Sequence, residues 1–169
     1  MKHVKALFAL VLITGIASVV NGQQAFTSDK TDYILELPTD QWRSISETDA
    51  EHEHVEFVNR ERLEGHLRIR KETVDAGTSV SDLARRDLDQ KLRFLPGFVE
   101  GKQEKFAGRL NGITVTYEFI RTGKPMMGRI YYLQADNRTM YALRFTGLKD
   151  RLGMIRNQTD SIARSFRLK

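Results

Sequence analysis

The spacing of apolar and polar positions changes several times along the chain, and each change predicts an element. Tyr33-Ile-Leu-Glu-Leu37 reads as a short strand. Pro38 ends it, since proline cannot donate to a ladder. Trp42 follows in a predicted turn and is expected to pack a corner of the core. Residues 46–54 are acidic and histidine-bearing and read as a loop. His54–Val58 and Leu63–Val74 read as the next two strands. In the second of these, Leu67 and Ile69 alternate with His66, Arg68 and Arg70. That period of two turns the apolar pair inward and the basic set outward, with Lys71 pointing the other way.

The period then lengthens. Val80, Leu83, Ala84, Leu88, Leu92 and Leu95 fall on one helical stripe, predicting a helix over Thr78–Leu95. Ser79 is placed to cap it, with Asp82 three residues on as the capping-box partner. Arg85, Arg86, Asp87, Asp89, Lys91 and Arg93 occupy the remaining faces and read as a solvated surface. Pro96-Gly97 stops the helix. Strands follow at 98–106, 113–120, 127–135 and 139–146. They are separated by the turn-forming Asn111-Gly112, Gly123-Lys124-Pro125 and Asp136-Asn137. Connections this short make an antiparallel meander. Leu148, Leu152, Ile155 and Ile162 repeat at helical spacing near the end of the chain. The strands carry apolar groups on both faces, so both faces need cover. The predicted class is α+β: an antiparallel sheet with helices on both faces.

The first residues read as an address. Met1–Lys5 is short and basic, Ala6–Val20 is nearly all apolar, and Val20-Asn21-Gly22 supplies short residues at a cleavage site. The apolar run falls short of the ~20 residues a spanning helix needs. We therefore expect residues 1–22 to be a cleaved secretory signal and residues 23–169 to be a single domain. No membrane span is expected after cleavage, and a periplasmic or secreted location is.

Composition narrows the chemistry. The chain has 169 residues and no cysteine. Disulfides, cysteine-ligated metals and thiol catalysis are thereby excluded. Net charge is +5, and the first 22 residues hold Lys2 and Lys5 without an acid. The small remaining excess argues against nucleic acid, which selects a concentrated basic face.

Taken in order, these elements resemble the PsbP-like family. An opening strand ends in proline and precedes a tryptophan, here Pro38 and Trp42. Thr78-Ser-Val-Ser-Asp-Leu-Ala84 opens a helix after a strand. Gly108-Arg-Leu-Asn-Gly112 leads into a long aromatic strand, and Tyr141-Ala-Leu-Arg-Phe-Thr146 into a last helix ending at Ser165-Phe166. The similarity spans residues 31–168. The family includes the extrinsic lumenal subunit of the plant oxygen-evolving complex, a Ran-binding nuclear-import factor and bacterial exported proteins. The resemblance implies an α-β-α sandwich without a shared active site and members that mostly act by binding a larger partner. It carries over no residue set, so it leaves the partner open.

Candidate chemistry is sparse. Glu51-His52-Glu53-His54 is the one ligand-like cluster. In an extended segment His52 and His54 share a side, and His66 is a third candidate ligand from the neighbouring strand. Imidazole and carboxylate suit zinc, copper or manganese. Two spaced ligands are short of the usual four, and a solvated loop is the simpler reading. No cofactor is otherwise expected. No serine sits in a Gly-x-Ser-x-Gly elbow, and carboxylates such as Asp87 and Asp89 fall on the helix's polar face, so no enzyme is expected. Tyr131, Tyr132, Tyr141, Met126 and Met127 fit sheet core better than a ligand groove, with the two methionines best placed to be exposed after Pro125. His66, Arg68 and Arg70 form an outward basic face suited to a protein partner. The expected function is that of an exported, non-enzymatic binding or accessory protein docking on an envelope or lumenal partner. A small-ligand or metal-binding exported protein is the alternative.

Overall fold

The structure is a computed structural model that describes residues 24–48 and 53–169. The predicted signal lies outside the described residues. In chain order the elements are β1 (Gln24–Phe26), β2 (Tyr33–Leu37), β3 (Trp42–Thr48), β4 (Glu53–Asn59), β5 (His66–Thr73), α1 (Val80–Gln90), β6 (Val99–Phe106), β7 (Gly112–Arg121), β8 (Lys124–Gln134), β9 (Thr139–Leu148), α2 (Lys149–Met154), α3 (Arg156–Ser165) and β10 (Arg167–Leu168). A 3-10 turn, Leu92–Phe94, follows α1.

Seven strands form the main sheet in the order β3-β4-β5-β9-β8-β7-β6, and β1-β2-β10 form a small second sheet. Every pairing is antiparallel. The protein is therefore α+β, with β9 at the centre of the main sheet and the meander β6-β7-β8-β9 forming one side of it. Alternation along these strands feeds two separate cores. On one face Phe57, Leu67, Tyr131, Leu133, Leu143 and Phe145 pack with Tyr33, Leu35 and Leu37 of β2 and Ile162, Ala163 and Phe166 at the end of the chain. On the other, Ile113, Tyr117, Phe119, Ile130, Tyr132 and Met140 pack with Leu83, Ala84 and Leu92. The first face is thus covered jointly: the period-two residues of β2 share with α3 the burial expected from a helix alone.

Several boundaries differ from the sequence-based expectations. The Ser79–Asp82 capping box forms as predicted, with Ser79 Oγ accepting from Asp82 N at 3.1 Å. The helix, however, leaves α geometry at Lys91 instead of running to Leu95. Leu95 precedes Pro96, whose ring disfavours a helical neighbour, and Leu95 is extended at φ −68°, ψ 136°. Trp42 is not in a turn but opens β3. It is 1% exposed, edge-on to Phe145 at 6.0 Å, and its Nε1 donates to Gln158 Oε1 on α3 at 2.8 Å. The stretch 46–54 is not one loop. β3 runs to Thr48 and β4 starts at Glu53, with Glu47 opposite His54. A polar strand at a sheet edge hides from apolar-period reading, because backbone pairing and not side-chain burial holds it.

Candidate functional site

The candidate site grows from one row of residues across the main sheet, on the face that α1 covers. Register places Ile45, Glu56, Arg68, Arg144, Ile130, Val115 and Gln103 side by side on seven successive strands. α1 and the 3-10 turn lie over the Ile130 and Val115 end, where Leu83 and Leu92 meet the second core. Arg68 and Arg144 lie beyond that cover. They sit directly opposite one another on β5 and β9, and like charges so placed oppose pairing by roughly 0.2–1 kcal/mol.

The two arginines are held differently. Glu56, 3% exposed, gathers Arg62, His66 and Arg68. Arg68 Nε lies 2.8 Å from its Oε1, while Arg62 Nη1 and His66 Nε2 lie 3.1 and 2.7 Å from its Oε2. Arg144, half-buried, instead donates from Nε to Tyr117 Oη at 2.7 Å, with its guanidinium 5.7 Å from the Tyr117 ring centroid. No carboxylate among the described residues pairs with it. Gly128 makes this geometry possible. A Cβ there would stand 2.0 Å from Tyr117 Cζ and 2.4 Å from its Oη, so the ring crosses β8 only because that position is bare. Burial pushes the Tyr117 hydroxyl above its ordinary pKa, although Arg144 opposes the rise. The hydroxyl stays protonated at neutral pH.

Three cavities of about 360, 540 and 400 Å³ open along this row. All three share Arg68. Arg144 lines the first and third, and His66 and Thr146 the second and third. Together they make one trough. Arg70, Lys91, Arg62, Arg121 and Lys124 add to its cationic lining, against the carboxylates of Glu56 and Asp87 among the described residues. One wall is apolar: Leu95, Pro96, Phe119 and Ile120. Ile120 N donates to Pro96 O at 2.7 Å, which ties the turn after α1 to the end of β7. Gly97, at φ +61°, closes that turn in a conformation only glycine adopts freely.

The structure brings His66 and Arg68 together on Glu56. Arg70 lines the first cavity with Arg68 but pairs with other acids. Arg70 Nη2 donates to Asp87 Oδ2 at 2.5 Å, and its Nε contacts Glu72. Tyr132 Oη donates to the same Asp87 oxygen at 3.1 Å, and Lys91 Nζ lies 3.1 Å from Oδ1. Asp87 is therefore buried and pins α1 to the sheet, which corrects the solvated face expected of its charge run. Burial alone would raise the Asp87 pKa. Arg70 and Lys91 outweigh it and hold the carboxyl below its ordinary value. Helical spacing sets Asp87 on the buried stripe, four residues from Leu83 and three from Ala84; reading it by its charge alone hid that signal.

The metal reading gains no second strand. His52 lies outside the described residues, and His54 is in β4. His66 is opposite Val58, four residues along β4 from His54, or roughly 13 Å at strand rise, and its ring is engaged by Glu56. Among the described residues no group of three metal-binding side chains occurs. Tyr131, Tyr132 and Tyr141 are buried in the two cores. Met126, expected at the surface, is buried as well, and Met127 is half-buried. Their strand packs on both faces, and Met126 also lines the second cavity beside Arg121 and Lys124. No helix among the described residues is long and apolar enough to cross a membrane.

Fold and trough together describe a small α+β domain of the PsbP-like fold. Its backbone is similar to cyanobacterial PsbP (CyanoP) of Synechocystis sp. PCC 6803, at TM-score 0.59 and 14% identity, over 95% of this chain and 99% of that one. It is similar also to LpqN of Mycobacterium tuberculosis, described as involved in cell envelope biogenesis, at TM-score 0.60 and 12% identity over 88% and 91%. A third likeness is to PA94 of Pseudomonas aeruginosa, a protein of unknown function, at TM-score 0.55 and 14% identity over 87% and 97%. Identities this low carry the fold and not the role. No protein-family model and no curated protein matches the sequence.

Proposed function

We propose that this is an exported, non-enzymatic accessory protein that docks on an envelope partner through the basic trough beside α1. The observation that carries the reading is the trough itself. Its charged lining is mostly cationic, and Arg121 and Lys124 at its mouth have no ion-pair partner among the described residues. Charge arranged this way steers an anionic partner and fixes its orientation. Arg68 and His66 belong to the docking surface, while Arg70 keeps α1 in place beside it. The likeness to LpqN, described as involved in cell envelope biogenesis, supports an envelope setting, and the apolar run Ala6–Val20 supports export.

The test is capture of a partner from envelope extract at low salt, by the protein and by Arg121→Glu/Lys124→Glu. Both substituted side chains are exposed, so the fold is expected to survive. A stoichiometric partner, released by moderate salt and retained at least about tenfold less by the double variant, is the expected result. Equal retention by the variant would remove the trough from the docking role.

A further inference from the structure

We propose that the trough takes an extended acidic peptide segment of the partner, with one carboxylate seated on Arg144 and a neighbouring bulky apolar residue on the wall made by Leu95, Pro96 and Ile120. The inference rests on the docking role above and names the chemistry of what docks.

Three features select this ligand. The first is the arginine pair. Arg68 and Arg144 face each other across β5 and β9, an arrangement unfavourable to folding that an arriving carboxylate would relieve. Arg68 already has Glu56. Among the described residues Arg144 has the Tyr117 hydroxyl on Nε and no carboxylate, which leaves the terminal nitrogens of its guanidinium to form the two-pronged bond that carboxylates accept. The second is preorganisation. The ring of Tyr117, laid across bare Gly128 and stacked on Phe119 at 5.7 Å, holds that guanidinium on a central strand of a rigid sheet. The third is the wall. Ile120 is 47% exposed beside the cationic floor, so one side of the trough offers apolar contact while the other offers charge. The trough is open and longer than a single anion needs, as its three merged cavities show. Its anchor, Arg144, is half-buried on the central strand β9. That favours a chain, which can enter a trough, over a flat bilayer surface.

The probes are short capped peptides of alternating glutamate and phenylalanine, titrated by fluorescence anisotropy. Controls replace every glutamate by glutamine, or every phenylalanine by serine. Binding by the first peptide, weaker binding by both controls, and a loss of about tenfold or more in Arg144→Gln would support the proposal, since one charge-assisted contact is removed. Arg144→Gln must keep its circular dichroism and melting temperature. If it does not, Ile120→Ser serves in its place, with a loss confined to the phenylalanine-bearing peptide. Equal binding by Arg144→Gln, or binding unaffected by the loss of phenylalanine, would overturn it. So would full competition by inorganic phosphate, which would make the trough a simple anion site. Binding to vesicles of anionic lipid in place of the peptides would also overturn it. If the peptides fail while partner capture still depends on Arg121 and Lys124, the docking role stands and this inference falls.

Discussion

At the scale of single residues, the trough depends on an absent side chain. Gly128 is required not by backbone conformation but because the Tyr117 ring occupies the space a Cβ would take. Gly128→Ala must push that ring off β8, and overpacking a filled core costs about 1–3 kcal/mol. The expected outcome is a lower denaturant midpoint with an unchanged slope. Arg144 should also lose its partner on Nε, so partner binding should fall with stability. A variant as stable as the parent would show that the ring has another resting place. His66 makes a second residue-scale prediction. Burial lowers its pKa most; Glu56 pulls the other way, and Arg62 and Arg68 add to the lowering. The folded protein then takes up the proton less readily than the unfolded chain, whose histidine titrates near ~6.5. Stability from this group is complete above that pH and declines as pH falls through the folded pKa. Urea midpoints at neutral and mildly acidic pH should therefore differ more for the parent than for His66→Gln. An identical difference in the two would refute the assignment.

At the scale of elements, the sequence was legible wherever one period dominated. The helix start at Ser79 follows from a hydroxyl followed three residues later by a carboxylate, and both reciprocal bonds form. Ser79→Ala should cost about 1 kcal/mol, read as a lower melting temperature with no change in the trough's affinity for its partner. The central strands were equally plain, because Ile113, Tyr117 and Phe119 alternate over a long run. Legibility failed at β3, whose Arg43, Ser44, Ser46 and Glu47 carry no apolar alternation. It failed differently at Asp87, which helical spacing sets with Leu83 and Ala84 on the buried stripe but whose charge reads as solvent-facing. The two failures differ in physical origin. Backbone pairing at an edge leaves no periodic trace, whereas a carboxylate on a buried stripe is visible but its compensating partner, Arg70, lies on another element.

At the scale of the whole molecule, the trough was partly legible. The alternation in β5 correctly turned His66, Arg68 and Arg70 to one face, away from Leu67 and Ile69. It did not show that Arg144 would stand opposite Arg68, since that depends on how β5 and β9 align across some seventy residues of intervening chain. Nor did it show the apolar wall, which joins the turn after α1 to the far end of β7. The modest overall charge concealed the site as well. An excess of +5 over 169 residues argues for little, yet the trough gathers Arg68, Arg121, Lys124 and Arg144 on one side of the sheet.

The sole tryptophan of the chain gives this architecture a spectroscopic handle. Trp42 is buried at the start of an edge strand, and its indole nitrogen is bonded to Gln158 on α3. Its emission is set by a layer on the face of the sheet away from the trough. Detachment of α3 would admit water to the indole and shift that emission to longer wavelength, while a peptide entering the trough would leave it dark to the event. Intrinsic fluorescence therefore reports the integrity of one core without interference from occupancy of the other face, which allows folding and binding to be followed separately in the same cuvette.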